Sequence, residues 1–256
     1  MAFSKTTTEE DKKVLAVIPA RLQSTRLPEK PLADILGKPM IQWVYEKTSK
    51  AENIHKVVVA TDSERILKAV EAFGGLAIMT SPDHQSGTDR LVEVAKAFPE
   101  YQTIINVQGD EPMIDAATLD FLIASYLNTQ CQTMATLAKK AESIHEVESP
   151  NCAKVVITKN NLALYFSRSP IPFDRDGKNS YEYLIHIGIY IYDRSFLLKF
   201  PDLGRSTLEE TEKLEQLRVL ENGYPIAVFE TESSSIGVDT LADLELVRKL
   251  LTKESS

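Results

Sequence analysis

Arg21, Arg26 and Lys30 place three cations within ten residues of an otherwise acidic chain. They follow the apolar run Val14-Leu15-Ala16-Val17-Ile18, which stops at Pro19. Five apolar residues without polar alternation are the pattern of a strand buried on both faces, as in a parallel sheet. Ligands of α/β folds bind beyond the carboxyl ends of such strands. A cationic loop there suits a polyanion, and a triphosphate is the first candidate.

Two acidic elements complement that loop. Gln108-Gly109-Asp110-Glu111-Pro112 follows the short apolar run Ile104-Ile105-Asn106-Val107, so Asp110 would be fixed by a strand and point into the ligand crevice. Gly109 permits a close backbone approach. Gly237-Val238-Asp239-Thr240 supplies a second carboxylate 129 positions later, again just before a helical pattern. One or two carboxylates plus phosphate oxygens are what Mg²⁺ takes, which makes Asp110 and Asp239 candidate metal ligands. Singly, each also reads as ordinary turn or cap chemistry.

Other chemistries lack their signatures. The chain contains no Gly-x-x-x-x-Gly-Lys-Ser/Thr loop, no Gly-x-Gly-x-x-Gly and no Gly-x-Ser-x-Gly. His55, His84, His145 and His186 have no metal-site spacing, and neither have Cys131 and Cys152. The formal net charge of -8 and pI near 5.2 disfavour a general nucleic-acid or membrane-surface binder. No apolar run approaches the roughly 20 residues of a membrane span. The expectation is a cytoplasmic protein with no membrane insertion and with a polar, disordered N-terminus over residues 1–13.

The elements that must position these residues alternate. Strand patterns at 14–18, 57–60, 76–79 and 104–107 are each followed by a helical one. Pro39 opens the first helix, Thr61 with Glu64 resembles a capping box for the second, and Asp115 can cap the fourth. Residues 81–90 read as a polar connector running into a helix of about two turns. This order is that of βαβ units and a parallel sheet, hence the α/β class with helices on both faces. Strand patterns then dominate at 132–138, 153–158, 162–167 and 186–192, which predicts a β-rich insertion over 131–192. Thr207 with Glu210 opens a helix running to about Asn222, 226–229 is a late strand, and Thr240 with Asp243 caps a last helix over 241–251. Without repeats or linkers, one continuous domain over 14–251 is expected.

In order along the chain, VIPARLQSTRLPEKPL (17–32), DHQSGTDR (83–90), NVQGDEPMI (106–114), LYFSRSPIPFDRD (164–176), HIGIYIY (186–192), KLEQLRVLE (213–221) and GVDT (237–240) closely resemble the 3-deoxy-manno-octulosonate cytidylyltransferases. The resemblance runs from about Val14 to Leu251. It implies a Rossmann-like nucleotidyltransferase fold and a homodimer of lipopolysaccharide biosynthesis. The implied reaction joins CTP to the sugar acid Kdo with Mg²⁺ and releases pyrophosphate. It further implies that Arg21, Arg26 and Lys30 hold the triphosphate, and that Gln85, Ser86, Gly87 and Thr88, with the backbone near Ala20, surround cytosine and ribose. Asp110 and Asp239 would bind the metal, so that Arg21, Lys30, Asp110 and Asp239 form the catalytic set. Gln108, Arg168, His186, Tyr190, Glu212 and Gln216 would face the sugar acid, the last two sharing a helix face at a spacing of four. Three places depart from the family pattern: Glu29 where glycine is usual, Ile185 where a cation is common, and Leu241-Ala242 where Pro-Glu is common. Activation of an 8-amino form of Kdo or of a sialic acid, and a non-catalytic nucleotide-binding homologue, are the alternatives.

Overall fold

A computed structural model of the chain describes residues 13–23, 26–84, 86–131, 133–177, 181–233 and 236–254. Strand β1 (Val14–Ala20) is followed by a two-stranded hairpin, β2 (Asp34–Ile35) and β3 (Lys38–Pro39), and by helix α1 (Met40–Thr48). Then come β4 (Lys56–Thr61), α2 (Glu64–Ala72), β5 (Ala77–Met79), α3 (Gly87–Ala97), β6 (Thr103–Asn106) and α4 (Ala116–Asn128). The later half contributes β7 (Met134–Lys140), α5 (Ile144–Glu148), β8 (Lys154–Ile157), β9 (Ala163–Ser167), β10 (Leu184–Asp193) and α6 (Arg194–Leu197). It closes with α7 (Thr207–Glu212), α8 (Gln216–Glu221), β11 (Ile226–Glu230) and α9 (Leu241–Glu254).

The strands form one sheet in the order β11-β7-β10-β6-β1-β4-β5, with β8 and β9 attached beside β10. Pairing is parallel from β6 through β5 and between β11 and β7; β10 alone runs against both its neighbours along this path. Within the β-rich stretch, β7 and β10 are therefore strands of the main sheet, and only β8 and β9 leave its path.

The alternation of β1 builds both layers of the core. Val14, Ala16, Ile18 and Ala20 pack with α1, α2 and α4, whereas Leu15 and Val17 pack with α3, α6 and α8 on the other face. Burying such a side chain is worth about 1.5–3 kcal/mol, so β1 is firmly anchored at the ligand edge. A third cluster joins Ile35 and Met40 to Val238, Leu244, Val247 and Leu251, fixing α9 against the hairpin.

Several local expectations are corrected. Strand β1 passes through Pro19, which pairs with Ala60. The Val17 carbonyl accepts from Val107 N–H (3.0 Å), so alternate residues of β1 direct their backbone groups toward β6. The last β1–β6 pair is Val17 with Asn106, so at Pro19 no partner requires the missing N–H. Pro39 precedes α1 as its N-cap. Ser63, not Thr61, caps α2, because Thr61 is still paired in β4; the Ser63 hydroxyl accepts from Ile66 N–H at 3.5 Å. Asp115 stands at the N-cap of α4 without a side-chain cap bond. The connector at 81–90 becomes helix at Gly87, where Ser86 and Asp89 form a capping box. The helix expected over 207–222 begins after Ser206, which forms its capping box with Glu209, and breaks at Lys213, whose φ is 54°.

Candidate active site

Because β1 and β6 are adjacent and parallel, the segments leaving their carboxyl ends share one edge of the sheet. A Cβ on Gly109 would lie 2.7 Å from the Pro19 carbonyl oxygen, so this turn requires glycine to bring Asp110 beside β1. Asp239 arrives from the far end of the chain. Val238 is fully buried in the third cluster, and its N–H donates to the Asp110 carbonyl at 2.8 Å, tying the two acidic segments together. Thr240 and Asp243 cap α9 behind it, with Thr240 N–H donating to Asp243 Oδ2 at 2.8 Å.

The two carboxylates converge on one ammonium group. Lys30 Nζ lies 2.5 Å from Asp110 Oδ2 and 3.0 Å from Asp239 Oδ1, and Arg26 Nη2 lies 3.0 Å from Asp239 Oδ2. Burial pulls the Lys30 pKa down, but the two carboxylates outweigh it and leave the ammonium more firmly protonated than usual. Pro19, Ala20, Arg21, Arg26, Lys30, Asp110 and Asp239 line an open cavity of about 350 Å³, the mouth of the site.

Arg21 serves the mouth and the start of α3 together. Its Nη2 donates to the carbonyls of His84 (2.7 Å) and Ser86 (3.1 Å). Burial and the nearby charge of Arg90 lower its pKa. His84 is anchored in turn by Glu93, with Nε2 2.5 Å from Oε2. Ser86 is the N-cap of α3; Gly87 and Thr88 face inward, and Gln85 lies outside the described residues.

Behind the mouth is a second cavity of about 470 Å³, which shares Gln108, Asp110 and Asp239 with it. Its wall on β10 is irregular. Pairing with β7 jumps from Ile187↔Leu137 to Tyr190↔Thr136, leaving Gly188 and Ile189 extra, and Gln108 Nε2 donates to the freed Gly188 carbonyl at 3.1 Å. Such a bulge re-aims side chains beside a site. Tyr190 and Tyr192 line the cavity, and burial raises both phenol pKa values. Burial also raises that of the Glu215 carboxyl, despite a hydrogen bond with Thr88 and the charge of Arg218. Asn106 Oδ1, Glu215 Oε1 and Gln216 Nε2 are buried without a protein hydrogen-bond partner. Buried polar atoms are normally satisfied, so an unpaired donor and two unpaired acceptors in one cavity point to a polar ligand.

Of the residues expected to face a second substrate, Gln108, Arg168, Tyr190 and Gln216 line this cavity. His186 lines a neighbouring one of about 410 Å³ and meets the first through its ring, 5.3 Å from that of Tyr190. Burial pushes its pKa down to about 3, which keeps the imidazole neutral. Glu212 does not line the cavity. Its carboxylate accepts from Ser167 Oγ (2.6 Å) and Arg168 N–H (3.0 Å). The shared helix face with Gln216 does not exist, since the chain breaks at Lys213 between α7 and α8. Arg168 contributes to that break by donating Nε to the Glu212 carbonyl at 2.8 Å. Glu215 takes the place expected of Glu212. Asn106, Tyr192 and Glu215 lie within the motifs read from the sequence but are not among its candidate site residues, although an asparagine in a buried strand and an acid between Leu214 and Leu217 are visible signals.

The acidic pair fits a hard divalent cation. Carboxylate oxygens from two segments already surround one positive group, at the point where mouth and inner cavity meet. Among the described residues no cluster of three or more His, Cys, Asp or Glu side chains forms a metal site, so phosphate oxygens and water would complete the shell.

Comparison with known proteins agrees with this geometry. Residues 15–233 match the cytidylyltransferase family. A 3-deoxy-manno-octulosonate cytidylyltransferase of Geotalea uraniireducens is 51% identical over 251 residues, covering 94% of this chain and 100% of that protein. The chain belongs to the 3-deoxy-manno-octulosonate cytidylyltransferase family. A relative of the same name from Fusobacterium nucleatum is 50% identical over 92% of this chain and 95% of its own length. The solved structure of a CMP:2-keto-3-deoxy-manno-octonic acid synthetase complexed with CTP superposes with a TM-score of 0.90 at 47% identity, covering 94% of this chain and 99% of that one. A cytidylyltransferase from Leptospira borgpetersenii, 18% identical with a TM-score of 0.65 over 94% of this chain and 87% of its own, shares the fold. The nucleotidyltransferase-like α/β fold is thus that of the cytidylyltransferase family. Glu29, where the resemblance to the family led us to expect glycine, has a left-handed backbone (φ 54°) of the kind glycine adopts readily and pairs with Arg65 of α2, with Nη2 2.8 Å from Oε2.

Proposed function

We propose that this chain transfers the cytidylyl group of CTP to the anomeric hydroxyl of 3-deoxy-manno-octulosonate, releasing pyrophosphate, in a Mg²⁺-dependent reaction. The observation that carries the reading is the convergence of Asp110 and Asp239 on Lys30, between a cationic mouth and an inner cavity of unpaired polar groups. The mouth suits the triphosphate, with Arg21, Arg26 and Lys30 around it. Near Ala20 and the start of α3, Gln85, Ser86, Gly87 and Thr88 would take the nucleoside. The inner cavity suits a polyhydroxy acid: Asn106, Gln108, Tyr190, Glu215 and Gln216 match hydroxyl groups, and the planar fork of Arg168 matches a carboxylate.

In the reaction, the anomeric oxygen forms a bond to the α-phosphorus while the bond from that phosphorus to the β-phosphate oxygen breaks. The hydroxyl proton is released, and pyrophosphate departs with the electron pair. Both partners are anionic, so catalysis consists chiefly of holding them in line and neutralising charge. Lys30 and Arg26 would leave their carboxylate partners for the β- and γ-phosphates and stabilise the leaving group. Arg21, by bonding the His84 and Ser86 carbonyls, holds the nucleoside loop against the mouth. Asp110 and Asp239 would hold Mg²⁺, which when bound supplies charge neutralisation across the phosphates.

The same reading makes residues 14–251 a single catalytic domain, assigns 131–192 to substrate binding and dimerisation, and places a cytoplasmic homodimer in lipopolysaccharide assembly. Among the described residues no helix is long and apolar enough to cross a membrane. The test is pyrophosphate release from CTP with Kdo and Mg²⁺ each present or omitted. Release requiring all three is expected; none beside an active control enzyme would remove the proposal. A sialic acid and 8-amino-Kdo serve as competing acceptors in the same assay.

A further inference from the structure

We infer that Lys154 is a positioning residue for the inner cavity, fixing the wall that carries Arg168; the inference rests on the sugar-acid reading of that cavity. Lys154 opens β8, where it is paired on both sides, with Ser167 of β9 and Ile185 of β10, and its side chain is completely buried. No carboxylate pairs with it among the described residues. Its three N–H donors instead meet three carbonyls: Ser149 at 2.9 Å, Cys152 at 2.6 Å, and Arg168. A buried ammonium is costly unless its donors are satisfied, and here they are satisfied entirely by backbone.

The three carbonyls make this more than a local bond. Ser149 and Cys152 bracket Pro150, whose carbonyl accepts from Arg168 Nη1 at 2.8 Å. The ammonium therefore holds the backbone of Arg168 directly and one anchor of its guanidinium indirectly. On the opposite side, the Glu212 carboxylate takes Arg168 N–H and the Glu212 carbonyl takes Nε. Arg168 is thus pinned between Lys154 and the end of α7, one step from the Lys213 break that turns Glu215 and Gln216 into the cavity. An apolar residue of similar volume would remove the buried charge but leave three carbonyls without their donor, so the test must separate fold stability from the geometry that the lysine imposes on Arg168.

The experiment uses the full chain with Lys154→Met, Lys154→Gln and Lys154→Arg. Pyrophosphate release is measured while Kdo is varied at saturating CTP and then CTP at saturating Kdo. Lys154→Met and Lys154→Gln are expected to raise KM for Kdo by about tenfold and leave KM for CTP within about twofold, a split of about 1.4 kcal/mol. Lys154→Arg, which keeps charge and donors, should recover part of the loss. In an Arg168→Ala background, Lys154→Met should add less than about a further twofold, because the two changes act on one wall. Equal changes in both KM values, independent effects in the double variant, or failure of every Lys154 variant to fold would assign the residue to stability and overturn the inference. If the unaltered chain releases no pyrophosphate with Kdo, the sugar-acid reading falls and this inference with it.

Discussion

The mouth and the inner cavity meet at Asp110 yet are built on opposite electrostatic plans. In the mouth, Arg26 and Lys30 are matched against Asp110 and Asp239, and both carboxylates keep contact with solvent. The Arg26–Asp239 pair is exposed on both sides and exchanges partners at modest cost, whereas Lys30 is more buried and needs an anion in place of any carboxylate it leaves. A triphosphate can therefore take the cations from the carboxylates and leave those oxygens for a divalent ion. The deep wall of the inner cavity is built instead of neutral polar groups, in part without partners: buried Asn106, Tyr192 and Gln216 and half-buried Tyr190 surround a carboxyl whose pKa is raised, while Arg168 and the shared carboxylates bring charge to its rim. Under the proposed function that surface would recognise by matched hydrogen bonds, and leaving them unmatched would penalise a wrong ligand. One region offers charge that can be redistributed during the reaction; the other offers shape and donors set in advance.

The sharpest way to break this contrast is to remove one of the carboxylates that both cavities share. Asp110→Ala should lower kcat/KM by about 10³, roughly 4 kcal/mol, while circular dichroism and melting remain native. A loss below about tenfold would separate the acidic pair from the chemistry. A change confined to the inner cavity should act on one substrate only. Glu215→Gln preserves shape and removes the carboxyl, so KM for Kdo should rise by about tenfold with KM for CTP unchanged, as expected for the loss of one hydrogen bond. An effect on CTP instead would erase the division of labour. The effect with the least bearing on turnover concerns the stability contributed by His186 at the cavity's margin. Its folded pKa, near 3, lies below the ordinary 6.5, so between those values the unfolded chain binds more protons and stability falls as pH falls. That contribution is complete above about 6.5 and exhausted near 3. His186→Gln should flatten this part of the melting-temperature profile by about 3–5 °C per pH unit, and parallel profiles for the two proteins would show that the imidazole is already solvated and protonated.

The legible and illegible parts of the site divide along the same line. Arg21, Arg26, Lys30, Asp110 and Asp239 sit where strands or helices begin and end, and their positions follow from apolar runs stopping at charged loops. The inner cavity depends on features without local signatures. The bulge at Gly188 and Ile189 arises from pairing with β7, and the turn at Lys213 from bonds that Arg168, just after β9, makes to the end of α7. Reading 207–222 as one helix placed Glu212 beside Gln216, and the left-handed Lys213 put Glu215 there instead. Thr61, with Glu64 three residues on, resembled a cap, but strand pairing had already claimed it.

From residue order alone came the alternating strands and helices, the two-sided burial of β1, the cationic loop and the two acidic turns, because each depends on side chains near one another in the chain. Only the folded molecule decided that Val238 bonds to Asp110 and closes the gap of 129 positions. It also decided that β10 runs against its neighbours, and that a buried lysine grips Arg168. These depend on contacts between distant segments, whose free energy arises from packing and desolvation after the chain has collapsed, and no local pattern encodes them.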